Sequence, residues 1–251
     1  MQAPDVSTAW LAAARRLISE PKRKAIHTVT RIVDPTGETP AIRAAVDQLL
    51  AGPNLQGVDT VANTIFPEAI ARTCRDHAHL VERYLLMYPV LRKRFAKNER
   101  GTYFGRLIQY PTTKQPFDQI GAVISRILIE RRGGNPKTAR YETTVAFPED
   151  AANAPIYVPG TDNSPMAFPC LSHCSFQADT EGRVHLLATY RSQYLVQRGY
   201  GNYLGLGRLL AHVAQQAGMQ VGHLTVVAGH AYLDPPVTPV RDMLKRFPDA
   251  A

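Results

Sequence analysis

Cys170 stands in the run Phe168-Pro169-Cys170-Leu171-Ser172-His173-Cys174, upstream of Ala188-Thr189-Tyr190-Arg191-Ser192-Gln193 and of Gly201-Asn202. These residue types divide into three chemical jobs. A thiolate is a strong nucleophile that can form a covalent adduct. An Arg-Ser pair can clamp a phosphate through charge-assisted hydrogen bonds. A carboxamide offers a donor and an acceptor, which suits the edge of a pyrimidine. Gathered together they would act on a pyrimidine nucleotide. Left apart, Cys170 is a small buried hydrophobe. A nearby cation, Arg191 or His173, would lower the thiol pKa and populate the thiolate.

The elements that must position these residues are read from periodicity. Residues 8–19 have helical spacing, and Ile26 to Val33 alternates with β-branched residues as a strand does. Pro35-Thr36-Gly37 turns the chain, a helix covers 40–51, and Gly52-Pro53 stops it. Residues 67–97 are helical in character with a break at Pro89. Asp118 to Arg131 is amphipathic, with Asp118 as its cap and Gly133-Gly134 as its close. Tyr141 to Phe147 reads as a strand and 148–169 as a loop. Cys174 to Gln177 and Arg183 to Tyr190 pair around the turn Asp179-Thr180-Glu181-Gly182. Leu206 to Gln216 is a helix ending at Gly218, and His223 to Ala228 a strand. Without regular βαβ alternation, the expected class is α+β, with a mixed or largely antiparallel β-sheet flanked by helices.

The chain has 251 residues, 45% hydrophobic and 20% charged, the balance of a soluble globular protein with a substantial core. No apolar run approaches the roughly 18–20 residues of a membrane span. Arg15-Arg16 follows the apolar Trp10 to Ala14, the wrong order for a secretory signal. Three cysteines make no disulfide framework, so a reduced, cytoplasmic protein is expected. A net charge of +8 favours anionic ligands such as a nucleotide or a polyglutamylated cofactor. Nucleic acid is not expected, because no basic run is interleaved with aromatics for stacking.

Two further runs invite a reading. Cys74-Arg75-Asp76-His77-Ala78-His79 has metal-ligand types but no second ligand pair, so exposed helix histidines are the simpler expectation and no metal is assigned. Gly199-Tyr200-Gly201-Asn202-Tyr203-Leu204-Gly205 looks like a dinucleotide loop, but its spacing is GxGxxxG and no parallel unit is read before it.

Taken together, Pro169 to about Tyr232 resembles the thymidylate synthase family, which includes pyrimidine nucleotide hydroxymethylases. The resemblance rests on Pro169-Cys170 with Cys174, Tyr190-Arg191-Ser192, Asn202 at the family's spacing beyond Arg191, and His230-Ala231-Tyr232. Upstream, Tyr103-Phe104-Gly105-Arg106, Asp118-Gln119, and Asn135-Pro136 with Arg140 resemble family motifs in the right order. This likeness implies a single thymidylate-synthase-like domain over 1–251, best matched over 100–235 and divergent over 1–100. It implies Cys170 as the nucleophile, Arg191, Ser192 and Arg140 on the substrate phosphate, Asn202 on the base, and His230 and Tyr232 on the sugar. It further implies a pyrimidine nucleoside monophosphate as substrate and 5,10-methylenetetrahydrofolate as co-substrate. The protein would be a methyltransferase or hydroxymethyltransferase, and a homodimer in which Arg140 reaches the partner's phosphate.

This sequence also departs from the family's pattern. The segment of the family's proton-transfer glutamate is Ala44 to Leu50, where Asp47 is the available carboxylate, and only Asn63 remains of a folate-site tetrapeptide. Ala139 replaces the first arginine of a pair, and Tyr194 replaces an aspartate. The family's last strands have no counterpart before Ala251. A site with less closure favours water capture of the one-carbon unit, hence hydroxymethylation, because hydride transfer needs a dry site. A changed acceptor or cofactor, and nucleotide binding without turnover, are the alternatives. Asn202 tilts the base towards uracil, since a cytosine reader more naturally presents a carboxylate.

Overall fold

The computed structural model describes residues 1–94, 101–134, 141–145, 147 and 170–248. The expected segment 148–169, Asn135-Pro136 and Arg140 lie outside them. The strands are β1 (Gln2–Asp5), β2 (Lys24–Asp34), β3 (Glu142–Thr144), β4 (Leu171–Ala178), β5 (Arg183–Tyr194) and β6 (Gln220–Tyr232). Among the described residues they form one sheet in the order β1-β2-β6-β5-β4-β3. β2 runs antiparallel to β6, β6 parallel to β5, and β5 antiparallel to β4. The mixed sheet of an α+β protein is therefore present.

The helices are α1 (Val6–Ser19), α2 (Pro40–Leu49), α3 (Val58–Ile65), α4 (Glu68–Ala71), α5 (His77–Arg94), α6 (Tyr103–Ile108), α7 (Gln119–Arg132), α8 (Tyr200–Gln216) and α9 (Val237–Arg246). Alternation along the strands sends Ile32, Leu186, Ala188, Leu224 and Val226 into a core shared with Trp10, Ala14, Leu206 and Leu210. The opposite face leaves Val29, Val33 and Leu187 exposed. α1 starts sharply because the Asp5 carboxylate accepts the Thr8 N–H at 2.7 Å, while Thr8 Oγ1 accepts the Asp5 N–H at 3.3 Å.

Three expectations change in three dimensions. The glycine run that looked like a dinucleotide loop is largely helical: β5, α8 and β6 form a parallel crossover, and Gly201 and Gly205 lie inside α8. They are there for packing. A Cβ at Gly201 would sit 2.6 Å from Val61 Cβ, and one at Gly205 would sit 2.7 Å from the Ala62 carbonyl, so only glycine lets α8 lie this close to α3. The long helix does not break at Pro89. It runs from His77 to Arg94 with Pro89 inside it at an exposed position. His77, expected as an exposed helix histidine, is 7% exposed.

His77 is part of a buried relay that ties α5, α7 and α8 together. Asp118 caps α7 as expected, with Oδ1 accepting the Gly121 N–H at 2.9 Å. Its Oδ2 lies 2.8 Å from His77 Nε2, and His77 Nδ1 lies 3.0 Å from His212 Nε2. A carboxylate can only accept, so His77 donates from Nε2 to Asp118 and meets His212 through Nδ1. Burial, then the neighbouring His77, push the His212 pKa down to about 4 despite the opposing pull of Asp118.

Two outcomes follow from these contacts. Gly205→Ala should cost about 2–3 kcal/mol in urea unfolding, because its neighbour is backbone, while Gly133→Ala should stay within about 0.5 kcal/mol. For His212, the unfolded chain binds a proton below about pH 6.5 that the folded chain refuses until about pH 4. Its contribution is complete above that window and is lost as pH falls through it. Unfolding measured across the window should show wild type losing on the order of 2–3 kcal/mol more than His212→Gln. Parallel pH profiles would remove His212 as the cause.

Candidate functional site

The site begins with a hairpin. Asp179 closes the β4–β5 turn by accepting the N–H groups of Glu181 and Arg183, each at 2.9 Å, with Gly182 at φ +80°. The expected pairing is present, with Cys174 opposite Ala188. The register then shifts between His173 and Leu171, where β4 carries Ser172 as an extra residue and its hydroxyl bonds the Thr189 carbonyl at 3.0 Å. Continued without that bulge, the register would set Cys170 opposite Ser192. With it, Leu171 pairs with Tyr190, and the Arg191 N–H donates to the Cys170 carbonyl at 2.8 Å. The thiol and the guanidinium singled out from sequence are thereby made cross-strand neighbours.

The parallel pairing of β5 with β6 does the same for the next residues. Ser192 lies opposite His230 and Tyr194 opposite Tyr232, with the two tyrosine rings edge-on at 6.0 Å. Tyr232 also lies under the Lys24 ammonium, 5.3 Å from the ring centre. Asn202 is buried in the first turn of α8, one helix entry away from these strands.

Three residues absent from the sequence reading, Arg198, Asp234 and Gln56, meet at the turn that follows β5. β5 runs into a π-helical turn, Leu195–Gly199, that carries Arg198. Asp234, just past β6, accepts the Val196 N–H at 2.7 Å and the Gln197 N–H at 3.2 Å, and Trp10 Nε1–H donates to the Leu195 carbonyl at 2.9 Å. The Arg198 guanidinium donates to Gln56 Oε1. Gln56 in turn lines a cavity of about 300 Å³ with Asn63, Thr60, Ile70, Met87 and Leu91. The signals for these residues were faint: Arg198 precedes Asn202 by about one helical turn, and Asp234 follows Tyr232 closely. Their meaning appears only when the π turn packs between α1, β5 and α8.

Electrostatics at Cys170 are opposed. Burial pushes the thiol pKa up, and Arg191 and Arg198 pull it back without fully cancelling the rise. Tyr103, the first residue of α6, is raised to about 12 by burial and then by Cys170, while backbone N–H groups of Leu171 and Cys170 and the Arg198 charge oppose the rise. The Tyr190 hydroxyl is buried and lacks a hydrogen-bond partner among the described residues, as does Gln193 Nε2. Asp47 is placed elsewhere: it sits on α2, about half exposed, and its carboxylate accepts from Arg43 Nε at 2.8 Å. No described contact joins it to Cys170. Asn63 is exposed on α3, at the cavity that Gln56 connects to Arg198.

Two curated proteins are similar to this chain, and both carry the name "Putative thymidylate synthase". The one from Methanothermobacter marburgensis is 29% identical over 117 residues, 46% of this chain and 45% of that protein. The one from Methanothermobacter thermautotrophicus is 32% identical over 76 residues, 30% of this chain and 34% of its own length. The chain spans less than half the length of these curated relatives. No family model matches it. The likeness is to thymidylate synthases, over the matched segments.

The two neighbouring thiols should behave differently. Cys174 is fully buried and pushed up to about 12 by burial, whereas Cys170 is only partly covered. Iodoacetamide on the native protein should label Cys170 at least about tenfold faster than Cys174, read peptide by peptide by mass spectrometry. Equal rates would show that the packing of β4 is not as described.

Proposed function

We propose that this protein is a thymidylate-synthase-like transferase acting on a pyrimidine nucleoside monophosphate, with one catalytic domain over 1–251. The observation that carries this reading is the bulge at Ser172, which makes Cys170 and Arg191 neighbours with Ser192 and His230 beside them. The two similar proteins named for thymidylate synthase support the same class.

In this mechanism Arg191 and Ser192, with Arg140, hold the phosphate and so bring the ring over the sulfur. The Cys170 thiolate adds at carbon 6, forming a carbon–sulfur bond and leaving the ring electron pair as an enolate. Asn202 reads the base through its donor and acceptor, and His230 and Tyr232 lie along β6 for the sugar. Methylenetetrahydrofolate supplies the one-carbon unit. The cavity that Gln56, Thr60 and Asn63 share with Ile70, Met87 and Leu91 supports a place for the flat ring system of this co-substrate, with amide and hydroxyl groups for its polar edge. Carbon 5 would form the new carbon–carbon bond to that unit and lose its proton, the carbon–nitrogen bond that holds the unit to the folate would break with the electron pair leaving on nitrogen, and departure of the Cys170 thiolate would restore the ring. Methylation and hydroxymethylation share these steps and part only in how the one-carbon unit is reduced or hydrated. The exposed apolar face bearing Val29, Val33 and Leu187 supports a homodimer, with Arg140 acting in trans. No helix of the described residues is long and apolar enough to cross a membrane, and the three cysteines are unpaired, which suits a reduced cytoplasm.

The test is tritium release from 5-labelled dUMP, UMP, dCMP and CMP with methylenetetrahydrofolate. Release is expected from a uracil nucleotide, with Cys170→Ser slower by roughly a thousandfold or more. Arg191→Gln should raise the nucleotide KM about tenfold to a hundredfold. No release from any of the four would sink the reaction. Release that survives Cys170→Ser would sink the nucleophile, and a monomer by light scattering would remove the trans role of Arg140.

A further inference from the structure

A second cavity lies between α8 and the stretch from Phe66 to Asp76, and none of the residues assigned to the reaction lines it. Its volume is about 540 Å³, larger than that of the cavity bearing Asn63, and the two share no lining residue. Its charges are already answered. Three carboxylates line it, Glu38, Glu68 and Asp76, with three guanidiniums, Arg72, Arg75 and Arg208. Glu68 pairs with Arg72 and Arg208, each at 2.8 Å, Asp76 with Arg75 at 3.2 Å, and Glu38 with Arg43 at 2.9 Å. An ion entering here would meet no formal net charge and would have to compete with these pairs. A neutral ligand would not.

The unanswered groups are on α8. His212 is 8% exposed and lines this cavity. Its Nε2 meets His77 Nδ1 at 3.0 Å, and its Nδ1 has no partner among the described residues. Among those residues, the polar atoms shut off from solvent without a partner are Arg23 Nε, Tyr190 OH and Gln193 Nε2. His212 Nδ1 is not one of them, so it keeps an opening, and the space that His212 lines is this cavity. One turn later, Gln216 Oε1 accepts the His77 N–H at 3.1 Å, which leaves the Gln216 Nε2 hydrogens to donate. Both side chains touch the same histidine, so the imidazole nitrogen and the amide donor stand side by side. Phe66, whose ring centre lies 5.0 Å from that of His212, forms an apolar wall with Leu204 and Ala211.

We propose that this cavity is a second ligand site, for an uncharged planar lactam such as the edge of a free pyrimidine or oxopurine base. A lactam carries an N–H and a carbonyl next to each other. The carbonyl would accept from Gln216 Nε2. Either tautomer of His212 finds its complement there, because Nδ1 can accept from the lactam N–H or donate to a carbonyl. The volume lies within the roughly 300–1,000 Å³ of small-molecule pockets. This inference goes beyond the reaction proposed above and does not rest on it.

The experiment is a titration of the whole protein with uracil at about pH 7, followed by calorimetry and by the nitrogen NMR signals of the His212 ring, assigned through His212→Gln. Uracil should bind with a Kd of about 1 mM or tighter and should move the Nδ1 signal. Uracil methylated at both ring nitrogens has no N–H and should bind at least about tenfold more weakly, a difference of about 1.4 kcal/mol. Benzoate, planar but charged, should leave the His212 signal in place. Ala211→Phe, which puts a ring into the cavity, should weaken uracil by about tenfold or more. Absence of uracil binding overturns the proposal, as does saturation that leaves the His212 signal unmoved. Binding that survives in a folded Ala211→Phe puts uracil elsewhere and overturns it equally. If that variant does not fold, the His212 signal decides. Dimethylated uracil or benzoate binding as tightly as uracil overturns the lactam class. The titration uses neither nucleotide nor folate, so a protein that releases no tritium yet binds uracil here loses the proposed reaction and keeps this site.

Discussion

The Arg191 N–H donates to the Cys170 carbonyl across a hairpin whose register has just slipped by one residue at Ser172. Side chains on a strand alternate faces, so a one-residue slip decides which residue meets which and from which side. Everything else in the candidate site is arranged around that bond. β5 continues from Arg191 to Ser192, which meets His230 on β6, and then turns through the π segment that carries Arg198. A straight hairpin would have offered Cys170 a serine in place of an arginine.

The electrostatics of the thiol follow from how deeply that geometry is set. Burial raises Cys170 and two guanidiniums lower it, so its protonation rests on a balance that ligand binding can tip. Polar groups nearby are held at a cost: the Tyr190 hydroxyl and Gln193 Nε2 are buried without a partner among the described residues. Such groups concentrate where a ligand is received or a network is completed by one. By contrast, Asp118, His77 and His212 form a closed relay in which each hydrogen bond is answered. The relay joins three helices, and these two bonds are structural.

Helix α8 links the two regions. Its glycines permit close contact with α3, its first turn carries Asn202, and His212 near its other end enters the relay. Because α3 bears Asn63 at the cavity and α8 bears Asn202, the glycine contacts set the distance between the cavity and the strands. Packing of two helices is thus part of how the site keeps its dimensions.

Much of this was legible in the residues themselves. Asp118 as a cap, the turn at Asp179 to Gly182, the strand from Ile26 and the amphipathic helix beyond Asp118 depend on local preferences, which act over a few residues. The types and order of Cys170, Arg191, Ser192 and Asn202 suggested a grouping, of which the hairpin register makes Cys170 and Arg191 cross-strand neighbours. Local rules did not reveal why glycines crowd residues 199–205, that His77 is buried, or that Asp47 faces Arg43, because each depends on an element distant in sequence. Nor did they single out Arg198, whose neighbours Gln56, Trp10 and Asp234 come from three other parts of the chain. The sequence by itself determined which groups could do chemistry and where the longer strands and helices would lie, though not β1, α3, α6 or α9, which are short or amphipathic without clear local signals. Only the tertiary structure decided which of those groups meet, because a single bulged residue and the return of one turn set contacts that no local preference encodes.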